Sequence, residues 1–130
     1  MNFEKYRDYA PLILRIGVGL IFIVAGYGKL TGIDGTISFF GNIGIPMAGV
    51  MAWIVAIVEF VGGIMVLAGF RMSYANILLA IIMFVAILTT KLGSDDMFRA
   101  MRLDLMLMLA NLALLTLGSG KLSVDEMSKK

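Results

Sequence analysis

Between Val50 and Phe70 the chain reads VMAWIVAIVEFVGGIMVLAGF, an apolar run with one carboxylate, Glu59, near its middle. About 20 apolar residues in a helix cross the roughly 30 Å of hydrocarbon in a bilayer. An ionised carboxylate at that depth costs about 2.5–3.5 kcal/mol on insertion scales. Something else in the chain must compensate Glu59, so the other segments are read first as its partners.

The chain has 130 residues, 60% of them hydrophobic. A soluble domain of this size has no interior large enough for that much apolar surface, so lipid must solvate much of it. There is room for four spans with short connections and none for a second domain. The formal net charge is +2 and the basic residues are scattered, which gives nucleic acid no binding stripe. The sequence contains no Cys and no His. That excludes disulfides, thiol redox chemistry, Cys-ligated iron–sulfur clusters and His-ligated haem, and it removes the usual transition-metal ligands. Electrons passing through such a chain need a bound organic cofactor or a partner subunit, and no metal site and no covalently bound cofactor is expected. The 11 Met read as adaptable packing residues rather than copper ligands.

The first ten residues are polar and aromatic and suit an interfacial lead-in. A first span is expected over roughly 11–30, with Pro11 in its first turn, where a missing N–H costs little. The run is long, contains Arg15, and is followed by no small-residue cleavage site, unlike a signal peptide. Thr31–Pro46 is punctuated by Gly32, Gly35, Gly41, Gly44 and Pro46 and reads as a loop, with a short surface helix around Thr36–Phe40 that Asp34 caps. Further spans are expected over roughly 47–70, 73–90 with Ser73 as N-cap, and 101–117, followed by a soluble tail over 118–130. An even number of spans puts both termini on one side. That side collects Lys5, Arg7, Arg71, Lys121, Lys129 and Lys130 against Lys91, Arg99 and Arg102 on the other, with Lys29 at the border, which places both termini in the cytoplasm.

Each span carries one face of small or polar residues at steps of three and four. These are Arg15, Gly19, Phe22, Gly26 and Lys29; Ala52, Ala56, Glu59, Gly63 and Val66; Asn76, Ala80, Met83, Ile87 and Thr90; and Asp104, Met108, Asn111 and Leu115. The glycines let helices approach closely. The expected solution is an all-α, integral-membrane four-helix bundle with these faces inward and lipid outside. Depth restricts the pairing. Arg15 lies about 6 Å inside the end that bears the termini, Lys29 near the opposite end, Glu59 near the middle, and Asp104 about one turn in from the far side. Lys29 pairs outward with Asp104, near Lys91, and Glu59 is met by Arg15 from one side or Lys29 from the other. The expectation is a polar chain from Arg15 through Glu59 to Lys29 and Asp104, with Asn111 adding hydrogen bonds. Two readings of it stand side by side: charges that only hold helices together, and a ligand, quinone or proton site.

Other signals have plainer explanations. The Gly17/Gly19 and Gly26/Gly28 pairs follow no strand and serve helix packing rather than a nucleotide. Trp53, Tyr27 and Tyr74 are interface anchors. Phe39-Phe40 is a membrane-surface anchor in preference to a lid, and Ser94–Asp96 caps a short helix in preference to binding a cation.

Several of these pieces, in order, resemble the DoxX family of small four-span membrane proteins. They are Leu14-Arg15, Gly19, Phe22, Gly26 and Gly28-Lys29-Leu30; Gly44 and Pro46; Glu59, Gly62-Gly63 and Gly69; and Gly118-x-Gly120-Lys121-Leu122-Ser123-Val124-Asp125. The resemblance covers nearly all of Leu14 to Asp125. Relatives often carry His where this chain has Ala25, another His near the end of the third span where it reads Thr89-Thr90-Lys91, and Pro where it has Ser119, so no histidine role carries over. The resemblance implies a multi-pass inner-membrane protein in a redox or sulfur-oxidising, quinone-linked complex. Such a protein binds a quinone or small ligand between helices near Glu59, Arg15, Lys29 and Asp104, beside a soluble redox or sulfur-metabolism subunit. Self-association is expected through glycine-bearing or Met-rich faces. The alternatives are a carrier for a small acid or a proton, and a scaffold without chemistry.

Overall fold

The computed structural model describes residues 3–91 and 97–128, and every regular element among them is helical. A 3-10 turn, Glu4–Tyr9, leads into α1 (Ala10–Thr31). Then follow α2 (Ile33–Asn42), α3 (Ala48–Ala68), α4 (Met72–Ala86), a π turn (Ile87–Lys91), α5 (Met97–Leu117) and α6 (Val124–Ser128). Glu4–Thr31, Ala48–Ala68 and Met72–Thr89 are each long and apolar enough to cross a membrane. The 21 residues of α5 rise about 31 Å, a similar length. The protein is an all-α membrane protein whose four long helices form a bundle. α1 packs most extensively on α3 and α4 on α5, and α3–α4 and α1–α5 contacts close the ring. α2 lies against α3, at the end away from the N-terminus.

The chain's own chemistry sets the breaks. Pro11 sits at the start of α1, where its missing N–H is no loss. α3 stops at Gly69, whose φ of +72° allows Phe70 N–H to reach back to Met65 O at 2.9 Å. The α1–α3 seam depends on missing side chains. A Cβ on Gly26 would lie 2.5 Å from Phe60 N, and one on Gly63 would lie 2.8 Å from Ile23 N. The two backbones therefore touch, as small residues permit between helices in lipid. Val18, Phe22, Val66, Leu79, Leu107 and Leu114 fill the interior.

The expected inward faces hold for three helices. Arg15, Gly19, Phe22 and Gly26 of α1 are buried, as are Ala52, Ala56, Glu59, Gly63 and Val66 of α3, and Asn76, Ala80 and Met83 of α4 with Ile87 after it. In α5 the buried seam is Leu107, Ala110, Asn111 and Leu114, and Leu115 faces outward. Leucine on every side of α5 gives its sequence little amphipathic contrast. The loop over 31–46 is more ordered than expected: α2 starts directly after Gly32, and Asp34 lies in its first turn without capping it. There it favours the helix dipole. Phe40 is buried and Phe39 is exposed, so only one of the pair can face lipid. Trp53, Tyr27 and Tyr74 project outward near span ends, as interface anchors do. The expected capping by Ser94–Asp96 lies outside the described residues.

The seam makes two glycines of α1 unequal. Gly26→Val should cost more than about 3 kcal/mol, because the clash is with backbone rather than a movable side chain. Gly28→Val, with nothing within 4 Å, should be tolerated. The fraction remaining monodisperse after graded heating in detergent checks both.

Candidate functional site

The approach at Gly26 and Phe60 carries the next turn of α1 to Glu59. Lys29 Nζ donates to Glu59 Oε2 at 2.9 Å. The Lys29 side chain is 31% exposed and that of Glu59 only 3%, so the carboxylate is sealed in the bundle and the ammonium is its link outward. Asp104 of α5 is half-buried, and its charge acts on Glu59 from a third helix. Among the described residues, Lys29, Glu59 and Asp104 therefore share the half of the bundle away from the termini. Of the two candidates for Glu59, the structure selects Lys29.

Arg15 belongs to a different group. It is fully buried; Nη1 donates to Leu67 O at 3.0 Å, and Nη2 donates to Lys121 O and Leu122 O, each at 3.0 Å. Leu67 is eight residues beyond Glu59, about 12 Å along α3. The expected single chain from Arg15 to Asp104 thus divides into two clusters at opposite ends of the bundle. Asn111, also fully buried, gives its Nδ2 to Leu107 O of its own helix at 2.8 Å. Asn76 of α4 is 1% exposed, and the sequence reading placed it on an inward face without counting it as a site residue.

The segment after α5 was expected to be a soluble tail, and it is tied to the bundle. Asp125 Oδ1 accepts from Arg71 N at 2.7 Å and Oδ2 from Met72 N at 3.2 Å. Asp125 thereby caps α4 from far along the chain, in place of Ser73. Ser119 Oγ donates to the same carboxylate at 2.9 Å, and Asp125 N donates to Gly69 O at 2.9 Å. Ser123 Oγ accepts from Glu126 N at 3.1 Å, which caps α6, and donates to Gly120 O at 2.9 Å. Asp125 also supplies the negative charge facing the buried Arg15. The run Gly118–Asp125 is therefore a strap across one end of the bundle. Ser123 two residues before an acid reads from sequence as a local cap, and no local pattern announces that Asp125 caps a distant helix.

The family model described as DoxX matches residues 10–92. The chain is 39% identical over 122 residues to "Putative oxidoreductase CatD" of Bacillus subtilis (strain 168), covering 94% of this chain and 89% of that protein. It is 37% identical over 76 residues to "Inner membrane protein YphA" of Escherichia coli (strain K12), covering 54% of each. It is 40% identical over 67 residues to "Inner membrane protein YqjF" of the same organism, covering 52% of this chain and 50% of that one. No solved structure matches it.

The two clusters respond differently to substitution. Lys29→Met leaves a buried carboxylate alone and should cost about 3–5 kcal/mol, whereas Lys29→Met with Glu59→Leu should be close to neutral. Asp125→Ala removes a charge-assisted cap and should cost about 1–2 kcal/mol. Thermal unfolding of the purified protein in detergent, followed by circular dichroism, measures all three.

Proposed function

The chain belongs to the DoxX family of membrane proteins, and from that premise we propose that it serves a quinone-linked redox complex of the inner membrane. It would hold the headgroup of a quinone, or of a similar small carbonyl ligand, between its helices at Lys29 and Glu59. The observation that carries this reading is the buried, half-open ion pair. Lys29 Nζ has three N–H donors and gives one to Glu59. Another suits a carbonyl oxygen, and a carboxylate alongside suits the hydroxyl that the carbonyl becomes on reduction. The fit is to a group that is an acceptor in one state and a donor in the other.

A bound quinone supplies two-electron, two-proton chemistry. This chain's residues orient and protonate. Lys29 would fix the carbonyl by a charge-assisted bond and pass a proton to its oxygen, and the Glu59 carboxylate would accept from the hydroxyl so formed. The apolar walls keep bulk water away, which strengthens each of these interactions. Electrons would arrive through a partner subunit, since the sequence has neither Cys nor His to hold a cluster or haem. The name of the Bacillus subtilis relative, "Putative oxidoreductase CatD", supports a redox role. With both termini in the cytoplasm, as the Lys and Arg distribution favours, the pair opens toward the outer half of the membrane.

Trp53, the sole tryptophan, lies six residues from Glu59 on α3, about 9 Å along the axis, and so reports on a guest. A short-chain quinone analogue should quench it saturably in nanodiscs. Lys29→Gln with Glu59→Gln, which preserves a neutral hydrogen-bonding pair, should weaken that component about tenfold, the equivalent of one charge-assisted bond. Unchanged saturable quenching in the folded double variant would remove the ligand from this site.

A further inference from the structure

Among the described residues, three side chains near the end of the bundle that carries the strap have polar atoms without a partner. Arg15 of α1, Asn76 of α4 and Asn111 of α5 are all essentially inaccessible. Arg15 Nε, both amide atoms of Asn76, and Asn111 Oδ1 are buried and make no hydrogen bond. They share a depth. Counted from Ala10, Met72 and Leu117, the ends of their helices, they lie between about 6 and 9 Å in. Elsewhere in this region the packing is apolar and close, with Val66, Leu79 and Leu114 fully buried. Buried polar atoms in native proteins are nearly always satisfied, by protein or by ordered water.

The kinds of atom identify the guest. Asn111 Nδ2 is committed to Leu107 O, and only the NH2 end can donate to a carbonyl, so its free end is the oxygen acceptor. Arg15 has its Nη groups committed to Leu67, Lys121 and Leu122, and its free Nε–H is a donor. Asn76 offers one of each, whichever way its amide is turned. A cation is opposed by the guanidinium, and an anion is opposed by the Asn111 oxygen. A guest that donates and accepts in equal measure is water, and buried water typically makes about three hydrogen bonds to such groups.

The strap lies against the Arg15 side of this region. The same guanidinium that leaves Nε unpaired holds the carbonyls of Lys121 and Leu122, and Ser123 beside them is buried. Leu122 takes φ +58°, a left-handed conformation that a branched side chain rarely adopts. Asp125 locks the strap to the start of α4. We propose that Arg15, Asn76 and Asn111 line a hydrated pocket inside the bundle, separate from the Lys29–Glu59 pair, and that the docked C-terminal strap closes it from the aqueous phase. The inference stands without the quinone reading.

The chain has no cysteine, so Asn76→Cys carries the only thiol. A small neutral methanethiosulfonate, which reacts with thiolate in water, should label it slowly in the full chain. Adding Asp125→Ala should speed labelling about tenfold or more, because the carboxylate's bonds to Arg71 N, Met72 N and Ser119 Oγ are lost together. Leu79→Cys, at a fully buried apolar position, should remain slow in both backgrounds. In the unmutated protein the Asn76 and Asn111 side-chain amides should show Overhauser contacts to bound water, a readout independent of any substitution. Absence of water at both amides overturns the pocket. Labelling at position 76 that is no faster after strap release overturns the closure.

Discussion

A charge in hydrocarbon must be met from within the protein, and in this chain Lys29 meets Glu59. Glu59 is not tolerable alone at its depth, and bringing Lys29 to it needs two helices held unusually close. Gly26 and Gly63 provide that closeness by placing the α1 and α3 backbones in contact. The most extensive helix pair in the bundle is thus also the one that bears the ion pair. Packing and electrostatics are the same constraint here, because separating the helices would strand the carboxylate and removing the charge would relax the need for so tight a seam.

The two ends of the bundle solve burial in different ways. Away from the termini, opposite charges from α1 and α3 meet directly, with Asp104 of α5 near. At the other end Arg15 is satisfied mainly by backbone carbonyls, three of them, two supplied by the strap. A guanidinium's planar fork suits several carbonyls at once. A lysine ammonium on a flexible stem suits one carboxylate and can still reach outward. The first arrangement leaves a charged group partly open and fit for a guest, and the second closes an end of the molecule.

Much of this was legible in the sequence. Small residues at helical spacing marked the inward faces of α1, α3 and α4, and the lone Glu59 within an apolar run announced that a cation must approach it. The choice between Arg15 and Lys29 was not legible, because depth estimates allowed both and the competing carbonyls of Leu67, Lys121 and Leu122 leave no mark in a side-chain pattern. The inward face of α5 was blurred by leucines all round, which is why Leu115 was placed inside and Leu114 was not. The strap reads from sequence as a soluble tail because its bonds, from Arg15 to its carbonyls and from Asp125 to the start of α4, join groups far apart in the chain. Asn76 stands on a predicted face but, unlike Asn111 beside Asp104, shares that face with no charged residue that would single it out.

The pairing of Lys29 with Glu59 is tested most directly by exchanging the two charges. Lys29→Glu alone and Glu59→Lys alone each place two like charges together in the interior, and each should lose most of the folded, monodisperse protein on extraction. The double exchange restores an opposite pair and should recover a substantial fraction of it. If either single exchange leaves the protein folded, or if the double exchange is no better than the worse single one, the two side chains do not meet inside the bundle.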